Sequence, residues 1–294
     1  MWNRAASIAA AVAVLALLAA DAGGAETEAP GQPVVIPGVG IPGWGQVAQV
    51  PGRFGLPAIA RDQVPAVLIL HGSGGVDGRG AFYAGALQDA GIATLEITMF
   101  AHGERPSSGS HANMPHVAAA LKWLAAQPAV DGARLGVMGF SWGGGLALLI
   151  SSETVQERLG KNIPKPVALA SFYPVCTNLA RNLANPQRPL YNVQARMSAT
   201  PMTIFVGTRD DYEEGARPCD ALIATWPAAA RDATAVHYLE GATHGFDSQT
   251  GPKRFYDPLV RAGQGGMVDV TPSAETAAEV RQAVVAFFAE HLRR

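Results

Sequence analysis

Charge is scarce in this sequence and nowhere clustered. Charged residues make up 16% of 294, and 22 basic against 24 acidic side chains leave a formal net charge of -2. Without a run of one sign there is no electrostatic footprint for nucleic acid or an anionic membrane, and a small uncharged or mildly charged ligand fits better. Long apolar runs are missing after the N-terminal segment, so no internal stretch is long enough to span a bilayer. Internal repeats, low-complexity tracts and a second-domain linker are missing too. Because α/β chains of roughly 200–250 residues routinely form one core, a single domain is expected beyond the N-terminal segment. Hydrophobic residues are plentiful at 48%, enough for a large buried sheet and far from a disordered composition.

The first 25 residues read as a signal peptide. Arg4 supplies the positive charge, Ala5 to Ala20 is uncharged and apolar, and small residues offer cleavage after Ala22 or Ala25. The alternative is a membrane anchor, for which that run falls short of the ~18–20 residues needed. Residues 26–294 would then be a secreted or periplasmic protein, free of the membrane after cleavage. Cysteine is nearly absent, and Cys176 and Cys219 are the whole supply. In an oxidising compartment two thiols are more often a disulfide than a reactive pair, and two independent buried thiols are the alternative.

Between Gly23 and Pro65 the chain is rich in Pro and Gly, with short apolar pieces at Val34-Val35-Ile36 and Val47-Ala48-Gln49-Val50, read as antiparallel edge strands. Short continuous apolar runs then alternate with segments of helical period, the pattern of a mostly parallel sheet covered by helices on both faces. The buried strands are expected at Ala66–Leu70, Ile92–Ile97, Arg134–Met138, Val167–Phe172, Met202–Val206 and Ala235–Leu239. Met114, Val117, Leu121 and Leu124 mark the apolar face of a helix ending before Pro128. A last helix is expected behind Thr271 as N-cap and Pro272 in the first turn, with Ala277, Val280, Val284, Phe287 and Phe288 inward.

The strongest chemical signal is Gly139-Phe140-Ser141-Trp142-Gly143, which follows the strand from Arg134 and opens an apolar helix. A nucleophilic Ser at a strand-to-helix turn must take a strained backbone, and glycines two before and two after let neighbouring backbone pass close. The turn also places the amide of Trp142 at a helix start, where an N–H and the dipole can hold an oxyanion. In the chain order of such sites the acid and the base follow the nucleophile. Among His237, His244 and His291, the first lies inside a strand run and the last on the final helix. His244, in Gly241-Ala-Thr-His-Gly-Phe246, sits in a loop just past a strand and is the expected base. Asp210 and Asp211 end the preceding strand. Asp210 is preferred as the acid, with Asp211 left to cap a helix beginning near Glu213.

Upstream, His71-Gly72-Ser73-Gly74-Gly75 closes the first buried strand, and the backbone N–H of Ser73 is the candidate second oxyanion donor. Ser73 as a rival nucleophile is disfavoured, because no elbow pattern surrounds it. The segment Met99 to Arg105 follows a strand on the same side, so Phe100, His102 and Arg105 are candidate substrate contacts. The spacing of His102, His111 and His116 fits no familiar ligand set, and no metal site is read from it.

With the elbow, Gly207-Thr-Arg-Asp210 and His244-Gly245-Phe246 together, the chain resembles the dienelactone hydrolase family from about Pro33 onward. The resemblance implies an α/β-hydrolase fold with a mostly parallel sheet of about eight strands, and cleavage of small-molecule esters or lactones without metal or organic cofactor. Two departures stand out: this elbow holds Ser141 where the namesake enzymes use Cys, and His102 stands where they place a carboxylate-binding Arg. The expectation is therefore serine esterase action rather than dienelactone cleavage. A peptidase or polyester-cleaving hydrolase is the rival within enzymes, and a non-catalytic binding protein on the same fold is the rival outside them. The sequence carries no signal for an oligomeric state.

Overall fold

A computed structural model describes residues 29–59 and 62–293, and the segment read as a signal peptide lies outside the described residues. The apolar runs become one eight-stranded sheet. Its strands are β1 (Gln32–Pro37), β2 (Gln49–Gly55), β3 (Val64–Leu70), β4 (Ala93–Ile97), β5 (Val130–Phe140), β6 (Ala168–Phe172), β7 (Met202–Gly207) and β8 (Thr234–Leu239). Their spatial order is β1-β2-β4-β3-β5-β6-β7-β8, with β1 and β2 antiparallel and all pairs from β4 to β8 parallel.

Strand alternation divides the core in two. Leu68 and Leu70 of β3 face one side, with Val117, Leu121 and Leu124 of α2 (Met114–Ala125) and Leu146 to Leu149 of α3 (Trp142–Leu149). Val67 and Ile69 face the other, with Tyr83, Ala84 and Leu87 of α1 (Arg79–Asp89) and Val280, Val284 and Phe288 of the last helix. The central strands are thus covered by helices on both faces, which is why β3 to β7 read as mostly apolar runs, with Thr94, Glu96, Ser171 and Thr203 as buried polar exceptions.

Three sequence expectations change. The run Ala235–Leu239 is β8, but it closes the sheet as an edge strand, so Ala235 and His237 are exposed rather than buried. The last helix runs Ala274–His291 and is capped by Ser273, whose hydroxyl accepts from the Thr276 N–H; Thr271 and Pro272 lie before the cap. Asp211 caps no helix. Residues 211–217 are turn and irregular loop, and the Asp211 carboxylate accepts the Asp269 N–H (2.8 Å) from a hairpin of β9 (Lys253–Asp257) and β10 (Gly266–Val270).

A disulfide joins Cys176 at the start of α4 (Cys176–Ala184) to Cys219 in α5 (Pro218–Ile223). It ties the connection after β6 to the connection after β7. Glu213 strengthens the same junction: its carboxylate accepts the N–H groups of Cys176 and Thr177 and the Thr177 hydroxyl at 2.6–2.8 Å. Acceptors are favoured there because the first N–H groups of α4 have no intrahelical partner.

Candidate active site

The parallel strands end together, and their C-terminal connections converge on Ser141. At the end of β5 the chain turns into α3 with Ser141 at φ 50° and ψ -106°, a left-handed conformation that a non-glycine residue holds only when its surroundings impose it. Its N–H donates to the Phe172 carbonyl of β6 (2.8 Å), and its own carbonyl accepts from Gly145. Gly143 sits where a Cβ would collide with the Leu70 and His71 carbonyls, so α3 can press against the end of β3 only with glycine there.

Ser141, His244 and Asp210 form one hydrogen-bonded chain. The Ser141 Oγ lies 2.9 Å from His244 Nε2, and His244 Nδ1 lies 2.7 Å from Asp210 Oδ2. The Asp210 side chain is fully buried and that of His244 is 8% exposed, so water competes little for either bond. Asp210 Oδ1 accepts the Tyr212 N–H (2.9 Å), which holds the second oxygen while the first faces the imidazole. The Arg209 N–H donates to the Ala242 carbonyl (2.9 Å), fixing the two loops relative to each other. This environment favours the tautomer with hydrogen on Nδ1, leaving Nε2 free to accept from the hydroxyl.

Trp142 is the first residue of α3, so its N–H has no intrahelical acceptor. The turn after β3 runs against the elbow: a Cβ on Gly72 would be 3.7 Å from that of Ser141. Phe100 packs edge-on against the rings of His71 (4.7 Å) and Trp142 (6.0 Å). The Arg105 guanidinium lies 5.7 Å from the centre of the Trp142 ring and 3.6 Å from the Asp257 carboxylate. His102 is exposed, and its Nδ1 donates to the Gly74 carbonyl (2.8 Å), so that nitrogen is engaged with the turn after β3. Among the described residues the one group with metal-like spacing is Cys176, Glu213 and Cys219, and both its sulfurs are in the disulfide.

Several residues that shape the site carried no sequence signal. Tyr173 and Tyr212 pack on the His244 ring at 4.7 and 4.4 Å between centroids, and Tyr173 does so with φ at 37°. Beneath them lies a buried polar cluster. The Asp247 carboxylate accepts both the Tyr173 and Tyr83 hydroxyls, while Arg79 donates to the Tyr173 oxygen and pairs with Asp77. Burial pushes the Asp247 carboxyl above the usual carboxylate range, against the pull of Arg79 and the two phenols. Only the proximity of Asp247 to His244 in the sequence could have drawn attention to any of them.

The model of the dienelactone hydrolase family matches residues 50–292. No curated protein sequence is a significant match. Among solved structures, esterase 2 of Thermogutta terrifontis phosphorylated by paraoxon is similar at 19% identity, over 90% of this chain and 95% of that one, with a TM-score of 0.61. The butyrate-bound form of the Thermogutta terrifontis esterase is similar at 18% identity over 86% and 93%, with a TM-score of 0.56. A dienelactone hydrolase from Anabaena variabilis ATCC 29413 is similar at 19% identity over 89% and 100%, with a TM-score of 0.53. At these identities the likeness is one of fold.

Proposed function

Because the chain belongs to the dienelactone hydrolase family of α/β hydrolases, we propose that it cleaves small carboxylic esters or lactones through an acyl-enzyme on Ser141. The observation that carries this reading is the unbroken hydrogen-bonded chain from the Ser141 hydroxyl through His244 to Asp210 on a strained elbow. The Thermogutta esterase, similar in fold, is phosphorylated by paraoxon and binds butyrate, which supports ester hydrolysis, and Ser141 at the elbow makes the nucleophile a serine rather than a cysteine.

In this mechanism His244 Nε2 takes the Ser141 proton as Oγ bonds to the ester carbonyl carbon. The carbonyl oxygen becomes an oxyanion held by the N–H groups of Trp142 and Ser73. Collapse breaks the bond to the alcohol oxygen, which leaves with the proton from His244. Water, deprotonated by His244, then attacks the acyl-enzyme, and the acid departs with Ser141 restored. Asp210 fixes the His244 tautomer and stabilises the imidazolium. Phe100 and Arg105 line the wall beside Trp142 and contact the substrate. The steps consume only ester and water and use no metal or organic cofactor.

Residues 1–25 are proposed as a signal peptide and 26–294 as one exported domain, a reading that the disulfide supports. A panel of short p-nitrophenyl esters, simple lactones and peptide p-nitroanilides tests the substrate class. Turnover of acetyl and butyryl esters or of lactones, with anilides at least about 100-fold slower in kcat/KM, is the expected result; faster anilides would indicate a peptidase.

A further inference from the structure

His71 is fully enclosed and takes no part in the steps above, yet both its ring nitrogens are committed. Nδ1 lies 2.7 Å from the Gly72 carbonyl oxygen, and Nε2 lies 2.9 Å from the Met99 N–H. A carbonyl can only accept and an N–H can only donate, so these partners require one neutral tautomer with hydrogen on Nδ1 and a lone pair on Nε2. Burial favours the same form, holding the His71 pKa below its ordinary value against the pull of the Gly72 bond.

The Gly72 carbonyl belongs to the same peptide unit as the Ser73 N–H. None of the described peptide bonds is cis, so that N–H points opposite to the carbonyl that His71 holds. Fixing one end of the peptide fixes the other, and a carbonyl that accepts a hydrogen bond polarises its N–H into a better donor. The Gly75 N–H also donates to the Gly72 oxygen (3.1 Å), closing the turn around this peptide.

We infer that His71 is a positioning residue, whose hydrogen bond to the Gly72 carbonyl aims the Ser73 N–H at the oxyanion, while its other nitrogen anchors the Phe100 to Arg105 segment through Met99. The inference rests on the serine hydrolase reading for the role of the Ser73 amide. It also assigns the two nitrogens different work: Nδ1 serves the chemical step, and Nε2 serves the pocket wall.

That division can be tested because Asn carries a donor where His has Nδ1, whereas Gln carries an acceptor near Nε2. In full-length protein, H71Q should lower kcat for p-nitrophenyl butyrate by about 10- to 100-fold with KM within about threefold. H71N should restore kcat to within about fivefold of wild type and raise KM instead. A trifluoromethyl ketone, which forms a tetrahedral adduct on Ser141, should weaken in H71Q in proportion to kcat. The backbone amide resonance of Ser73 should move in H71Q and stay near its wild-type position in H71N, whatever the turnover. Equal kcat losses in the two variants, or an unmoved Ser73 amide in H71Q, would overturn the role of His71. A wild-type protein that neither hydrolyses esters nor reacts with a fluorophosphonate, but still gives the predicted amide shifts, would instead overturn the hydrolase reading.

Discussion

Replacing Asp210 by Asn exchanges one oxygen for an NH2 group and should nearly silence the enzyme, whereas the same change one residue later should pass almost unnoticed. Asp210 presents Oδ1 to the Tyr212 N–H and Oδ2 to His244 Nδ1. An Asn can satisfy Tyr212 only by keeping its carbonyl there, which turns its NH2 group toward the imidazole. Nδ1 must then accept, the hydrogen moves to Nε2, and Nε2 can no longer take the Ser141 proton. The lost orientation and lost stabilisation of the imidazolium correspond to about 10⁴ in kcat, or about 5 kcal/mol of transition-state stabilisation. Among the described residues Asp211 accepts the Asp269 N–H, a bond an Asn carbonyl can replace. Its cost should stay near 1 kcal/mol of stability and within about threefold in kcat. Steady-state kinetics on p-nitrophenyl butyrate, with thermal unfolding as the control for folding, separates the two. A loss below about tenfold for Asp210→Asn, or a greater loss for Asp211→Asn, would refute the assignment.

Two further outcomes follow from groups away from the chemistry. Burial raises the Glu96 pKa from 4.5 to about 7, with Asp77 adding to the effect. The folded state therefore holds a proton that the unfolded state gives up, and stability falls as pH rises from about 4.5 to about 7; Glu96→Gln should stabilise the protein at pH 8 by on the order of 3 kcal/mol at most, read as a raised Tm, and leave Tm unchanged near pH 4. An unchanged difference between the two pH values would contradict this. The Cys176–Cys219 bond closes a separation of 43 residues and adds roughly 4 kcal/mol in the chain-entropy model, so Cys176→Ser with Cys219→Ser should lower the urea midpoint; an equal midpoint would show that the crosslink adds nothing.

What the sequence revealed and what it hid divide along contact distance. Ser141 was legible because strand, glycines and helix start all lie within a few residues, and the chain order of such sites then led to His244 and Asp210. The central strands were legible because burial on both faces leaves a mostly apolar run. β8 misled for the same reason: Ala235–Leu239 is apolar enough for a core strand, and only topology makes it the edge. Ser273 and Thr271 are both good N-caps, and the choice fell to a tertiary contact, since the Ser273 N–H donates to the Phe246 carbonyl beside the base loop. Tyr83, Tyr173, Arg79 and Asp247 were invisible because their hydrogen bonds join residues 74 to 164 positions apart, and no local pattern encodes such a cluster.

The central claim is that Ser141 carries a covalent intermediate, and intact-mass spectrometry after exposure to a fluorophosphonate tests it most directly. Wild-type protein should gain one adduct per chain, mapping to the peptide that holds Ser141, with loss of ester turnover in step. Ser141→Ala should fold normally, because removing a hydroxyl at a strained elbow opens no large cavity. It should gain no adduct, and its kcat should fall by several orders of magnitude, with a residue of about 10³–10⁴ over water left to the oxyanion amides and binding. Stoichiometric labelling of Ser141→Ala, or turnover near that of wild type, would contradict the account.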